Sequence, residues 1–318
     1  MAVSVSNSDA NDFIKTLADS SVQCCICDPP FGLGEDTFDK HYARDATNVL
    51  EGYTTAPTED QSYEAWASAW IHQIPRILKS DGTLYIVCAW NHLCDVELAI
   101  RSAPAPGLVV KNHIIWKYNF GVYTQKKFVT SHYHILRCGL TGATPAFYPR
   151  AFFSEADKTS DGGSAQYSDM EDVWVIPKEF KQGHLGAKNV NKLPDALVRK
   201  LILYSTKSGD LVADFFLGNF TTAYVAKREG RSFTGCEINK IAFDHHEPLL
   251  GQVVPMITPQ ATSTKPVNAG KKITEEEKAK ICARFKELHA TRTKKECLSL
   301  LQTEFGRGHF SLTNILKD

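Results

Sequence analysis

The stretch VADFFLGNFTTAYVAKREGRSFTGCEIN, Val212 to Asn239, decides the fold. An apolar run, LVADFF, enters a turn at Gly218. A helical segment, AYVAKREG, follows and stops at Gly230, a residue suited to a helix end. SFTGCEI then reads as a second strand closing on Glu237. Strand, glycine turn, helix and strand make a βαβ unit, and such units build mostly parallel sheets with helices on their faces.

Working outward, PDALVRKLILYS carries apolar residues at helical spacing, and SGD turns it into the strand at Leu211. TLYIVC, residues 83 to 88, reads as a buried strand, preceded by a helical pattern from Tyr63 to Leu78 and a turn at KSDG. CCICDPPFGLG, Cys24 to Gly34, holds a short apolar run from Val22 that must end at Asp28. Two prolines follow, and proline donates nothing to a sheet ladder. A carboxylate at the carboxyl end of a strand lies where open α/β sheets bind ligands.

With 318 residues, 43% apolar and 23% charged, the chain can bury one large core and a smaller second one. No apolar run is long enough for a membrane span, and no basic-then-apolar segment opens the sequence. The expectation is a cytoplasmic protein with no membrane partner. The nine cysteines sit mostly inside apolar runs, so no metal site is expected and they read as reduced packing residues. The net charge is zero, yet no acidic residue lies between Glu97 and Glu155. That segment holds Arg101, Lys111, Lys117, Lys126, Lys127, Arg137 and Arg150. A locally positive field of this kind suits a nucleic-acid partner.

From Gly251 to Gly270 the chain has three prolines and little charge, which suits a linker. Beyond it, Thr274 with Glu277 and Thr293 with Glu296 have the spacing of capping boxes opening two helices, and a last short helix fits from Ser311. Residues 271–318 hold 11 Lys or Arg against 7 Asp or Glu, a net charge of +4. Three short helices fit a helix-turn-helix module for DNA, and equally a dimerisation bundle.

The Gly218 turn lacks G-x-G-x-x-G, so it does not read as a dinucleotide site. One glycine with an acidic strand end serves an adenosine ligand without a pyrophosphate. In this order, DPPF at Asp28 and DFFLGN at Asp214 resemble the catalytic and cofactor motifs of the β group of DNA amino-methyltransferases, which methylate exocyclic amines of DNA bases. The resemblance runs from about Val5 to Glu247 and includes IPRILKSDGTLYIV, HIIWKYN, HYHILRCG and NKLPDALVRKLI.

This resemblance implies a Rossmann-like S-adenosylmethionine methyltransferase domain over residues 1–250, with helices on both faces of its sheet, and a segment of about 140–188 that reads the target sequence. It implies catalysis by Asp28, Pro29, Pro30 and Phe31. Asp28 and the Pro29 carbonyl would accept the two N–H groups of the amine, and Phe31 would face the flipped base. For the cofactor it implies Asp28, Asp214, Phe216, Gly218 and Asn219 on the methionine side, with Lys192 and with Thr221 or Thr222 for the carboxylate. Glu237 with Ile238 would hold the ribose, and Asp9 with Ala10 the adenine. Asp9 reads equally as a helix cap, as do the threonines. Trp116, Lys117, Lys126, Lys127, Arg137 and Arg150 are expected on the nucleic acid, and Trp116 reads also as a core residue.

The sequence departs from the family pattern twice. Asn219 and Phe220 stand where a second glycine is usual, which leaves Asn219 to tolerate the unusual backbone angles. The lysine–proline pair before the helix near the carboxylate is split by Leu193. An aspartate heading the catalytic motif is more typical of adenine-N6 than of cytosine-N4 enzymes. Cytosine-N4 methylation, RNA as substrate, and a catalytically silent DNA-binding regulator are the alternatives.

Overall fold

The computed structural model describes residues 2–32, 61–119, 121, 125–149, 151–152, 170–179, 192–256 and 272–316. It falls into two compact units, Met1–Pro149 with Glu171–Pro259, and Arg150–Met170 with Gln260–Asp318. Among the described residues no helix is long and apolar enough to cross a membrane.

The first unit is built on one eight-stranded sheet. Its strands are β1 (Val3–Asn7), β2 (Val22–Cys27), β3 (Leu78–Cys88), β4 (Leu108–Lys117), β5 (His132–Leu140), β6 (Val173–Val175), β7 (Leu211–Asp214) and β8 (Ser232–Glu237). They lie in the order β1-β8-β7-β2-β3-β5-β4-β6. Only β5 runs against the rest, pairing antiparallel with both β3 and β4. Every residue of β2 is buried, as a central strand covered on both faces requires.

Helices α1 (Ala10–Thr16), α2 (Tyr63–Ile71), α3 (Ile74–Ile77) and α4 (Leu93–Arg101) pack on one face, through Phe13, Ile14, Trp70, Ile77 and Ile100. Helices α5 (Asp195–Ser205), α6 (Thr221–Arg228) and α7 (Lys240–Leu250) pack on the other, through Leu197, Leu201, Val225 and Leu250. The expected α/β sandwich is present.

Three local readings differ. The helix expected from Tyr63 to Leu78 is two helices, because Pro75 lacks an N–H and instead opens α3. The turn expected at KSDG is an irregularity inside β3, where Val22 faces Leu78 but Cys24 faces Thr83. The segment expected to read the target sequence includes β6, which adds to the sheet edge through Ile115, Trp116 and Lys117 of β4. Residues 153–169 and 180–188 of that segment lie outside the described residues.

The second unit contains α8 (Glu275–His289), α9 (Lys294–Phe305) and α10 (His309–Ile315) around Ile281, Leu288, Leu301 and Leu312. α10 starts two residues before the expected Ser311. Thr293 and Glu296 form the full capping box. At Thr274 the hydroxyl accepts from Glu277 N at 3.2 Å, and the Glu277 carboxylate is shared between the Thr274 backbone and buried Arg307, at 2.8 and 2.6 Å from the guanidinium. Of the expected linker only residues 251–256 are described, and there Met256 N donates to Arg228 O at 2.6 Å. Residues 257–271 lie outside the described residues.

Candidate active site

Four neighbouring parallel strands, β1, β8, β7 and β2, end on the same edge of the sheet, and each delivers a polar residue there: Asn7, Glu237, Asp214 and Asp28. Gly235 makes the approach of β8 to β7 possible, because a Cβ at this position would lie 2.3 Å from Asp214 O.

Asp28 leaves β2 directly before buried Pro29. Its Oδ1 is sealed from solvent and, among the described residues, accepts no hydrogen bond. Burial pushes its carboxyl up to about 8; the nearby Asp214 charge adds to this and the Lys178 ammonium opposes it. Asp214 is pushed up to about 7, again mainly by burial, although Phe216 N and the Thr222 hydroxyl both donate to it. Two carboxyls held this far up are poised to welcome a cation, which would lower both.

The turn after β7 is built around Glu237. Gly218 N donates to Glu237 Oε2 at 2.6 Å and Asn239 N to Oε1 at 2.8 Å. Ile238 N–H donates to the same carboxylate, and of its roughly four lone-pair sites one is left for a further donor. Ile238, beside them, is 62% exposed. The left-handed backbone falls on Gly218 (φ +49°) and Phe220 (φ +59°). This corrects the expectation that Asn219 would carry it. Phe220 tolerates the strain because its ring is fully buried, stacked on His246 at 5.4 Å and edge-on to Phe243. Neither Thr221 nor Thr222 caps α6, whose N-cap is Phe220 without a side-chain bond, so the first N–H groups of that helix are not satisfied by a cap.

Other expected residues are placed as follows. Asp9 caps α1, accepting from Asn11 N at 2.8 Å, while Ala10 is buried below it. Phe216 packs its ring against Trp66 and Trp70. Lys192 Nζ is bound to Asp195 at 2.8 Å and Glu179 at 3.4 Å. Lys117, Lys126 and Lys127 are exposed.

Two expected nucleic-acid residues are corrected. Trp116 is a core residue, 1% exposed, with Nε1 donating to Ile176 O at 2.8 Å. Arg137 is buried against the Phe147 ring and donates to Asn112 and Ala146, where no phosphate reaches it. Period-two alternation along β5 cannot expose Arg137, because both faces of this strand are covered. Arg150 lies outside the described residues.

The structure adds residues that sequence reasoning missed. Tyr63 Oη donates to Pro30 O at 2.8 Å and its ring stacks on His92 at 4.0 Å, fixing the second proline of the motif. The Phe31 ring lies 5.1 Å from Tyr133, which meets Tyr118 at the same distance. Lys178 Nζ sits 4.3 Å over Tyr118 and 4.6 Å over Tyr133, and donates to Tyr133 Oη at 3.2 Å. Nothing in the spacing of these residues announces that they meet; Phe31, Tyr118, Tyr133 and Lys178 come together from the ends of β2, β4, β5 and β6.

The geometry describes a sheet-edge site with a buried, unpaired carboxylate oxygen, aromatic walls and a second acidic strand end. The chain is 26% identical over 250 residues to the DNA adenine methyltransferase YhdJ of Escherichia coli (strain K12), covering 75% of this chain and 79% of that protein. Among solved structures, the putative DNA modification methylase TTHA0409 of Thermus thermophilus, complexed with S-adenosyl-L-methionine, superposes with a TM-score of 0.55 at 18% identity, covering 80% of this chain and 95% of that one. The PvuII DNA methyltransferase (cytosine-N4-specific) does so with a TM-score of 0.58 at 15% identity, covering 81% and 95%. The profile of the N6/N4 methyltransferase family described as DNA methylase matches residues 22–247, and the chain belongs to that family.

Proposed function

We propose that this DNA methylase is a site-specific adenine-N6 methyltransferase that takes its methyl group from S-adenosyl-L-methionine and acts on an adenine flipped out of the duplex. The observation that carries the reading is Asp28 Oδ1, a buried acceptor lacking a partner among the described residues, at the head of two prolines. It suits one N–H of an exocyclic amine. The adenine-directed relative and the aspartate heading the motif favour N6 over cytosine-N4.

The residues fit the cofactor. When bound, it supplies a methyl group already activated on a sulfonium. The raised carboxyls of Asp28 and Asp214 favour a cation beside them, Glu237 keeps an acceptor site for a ribose hydroxyl, and exposed Ile238 offers an apolar surface next to it.

Asp28 Oδ1 accepts one amine N–H and the Pro29 carbonyl the other, drawing the nitrogen out of conjugation with the ring as its positive charge develops. Tyr63 holds the motif in place through Pro30 O. The amine nitrogen that takes the methyl group would shed its proton toward Asp28 Oδ1, which already accepts its N–H. Phe31 and Tyr133 provide the aromatic faces for the base. No covalent nucleophile is required, and Cys24, Cys25 and Cys27 are buried with their thiols pushed up by burial.

The test is modified-base sequencing of DNA from a methylation-free host expressing the protein. The expected outcome is N6-methyladenine confined to one motif. N4-methylcytosine alone would overturn the choice of base, and unmodified DNA would overturn methyl transfer.

A further inference from the structure

The connection between β4 and β5 closes at its base and exposes an aromatic ring above. Tyr118 N donates to Ser131 O at 3.0 Å. Gly121 packs so tightly on the returning strand that a Cβ there would come within 2.2 Å of Val129 Cγ1. Above this base, Lys126 and Lys127 are exposed and Phe128 is 99% exposed. A single exposed apolar residue needs no explanation by itself. Here three further observations converge on it.

The first is position. β4 runs with β2, β3, β7 and β8, so its carboxyl end and the connection to β5 lie on the sheet edge that carries Asp28, Asp214 and Glu237. The second is reach. Phe128 is five residues from Tyr133, whose ring touches Phe31 of the catalytic motif, and five residues span at most ~17 Å. That is about five base steps of one strand. The third is charge: the ring lies in the acid-free segment between Glu97 and Glu155, directly after two lysines.

A base leaves the duplex only if unstacking is compensated, and apolar side chains that wedge between base steps do this in other DNA-bending proteins. We propose that Phe128 is a wedge that inserts into duplex DNA beside the flipped base, while Lys126 and Lys127 neutralise the adjoining phosphates. The proposal rests on the methyl-transfer reading. It makes Phe128 a positioning residue that acts on the duplex and never touches the methyl donor.

The test uses the full chain as wild type, Phe128→Ala and Phe128→Trp. The probes are methyl-free plasmid DNA as linear duplex and its separated strands. Phe128→Ala should slow methylation of duplex by about ten- to hundredfold while leaving the separated strands within about twofold, because only the duplex has a stack to open. Phe128→Trp should restore the duplex rate, and its added indole emission should be quenched when duplex binds. The melting temperature should not change, since the ring is exposed.

Equal rates of wild type and Phe128→Ala on duplex would overturn the wedge, as would equal losses on both probes or a wild type active only on separated strands. If wild type methylates neither probe, the methyl-transfer reading fails, and the indole signal decides the wedge alone. Quenching at saturating duplex would support it. Unchanged emission, or no binding of duplex at all, would overturn it.

Discussion

Gly218 N donates to Glu237 Oε2 at 2.6 Å, tying the turn after β7 to the acid that ends β8. The same carboxylate accepts from Asn239 N, so one side chain holds two strand ends in register. Glu237→Ala strands both N–H groups and, on the proposed reading, removes the ribose acceptor. Cofactor affinity should fall at least about tenfold and stability by about 1–3 kcal/mol. Titration with S-adenosylhomocysteine and urea unfolding measure the two effects. Unchanged affinity would place the ribose elsewhere.

On the proposed reading Asp28→Asn should abolish methyl transfer and weaken the cofactor by no more than about tenfold, because Asp28 takes the amine's proton and gives the donor only a neighbouring charge. It should also alter stability with pH in a defined direction. The folded carboxyl titrates near 8 against an ordinary value of 3.8, so folding takes up a proton between these values. The stability that this carboxyl contributes is full below about pH 4 and is lost as pH rises toward 8. Asn carries no such penalty. The variant should therefore gain on wild type in urea midpoint as pH rises from 5 to 8, and a constant difference across that range would refute the burial of this charge.

Lys178 provides the positive charge that opposes the rise at Asp28. Lys178→Met keeps much of the packing against Tyr118 and Tyr133 and removes the charge. The limb of kcat/KM that reports the free enzyme's Asp28 should move to higher pH. A profile that drops in height without moving would mean that Lys178 acts only by packing.

The strand ends were legible in the sequence because punctuation marks them. Pro29 and Pro30 must stop β2, the Gly218 turn must follow β7, and an apolar run closing on Glu237 must end there. The site's other half was not legible. β5 is the one reversed strand, and its reversal sets Tyr133 against Phe31, about a hundred residues away in the chain. Arg137 and Trp116 look like surface and pocket residues in a list of basic and aromatic positions, yet a strand covered on both faces buries its polar side chains too. Phe220 shows the same limit locally. Its left-handed backbone is tolerated because His246 and Phe243, contributed by α7, pack its ring, and no reading of LGNF alone contains them.

The last prediction concerns residues 260–318. We propose that α8, α9 and α10 grip DNA from the end of a linker, on the strength of the +4 charge of residues 271–318 and a helical core of their own. Such a module raises the local concentration of substrate without touching the reacting base. A chain ending at Met256 keeps the bond from Met256 N to Arg228 O and the whole sheet. It should methylate the same motif with unchanged cofactor affinity. DNA binding should weaken and become less salt-dependent, the log-log slope falling by roughly 0.9 for each phosphate that the helices no longer neutralise. If the three helices instead pair two copies of the chain, the truncated protein would be a monomer where the full chain is a dimer, with a halved number of chains per particle, and activity would fall most at low enzyme concentration. Salt slope and mass are therefore measured on the same preparation: an unchanged slope with a halved number of chains per particle refutes the grip, because the missing helices then held a second protein and not the phosphates.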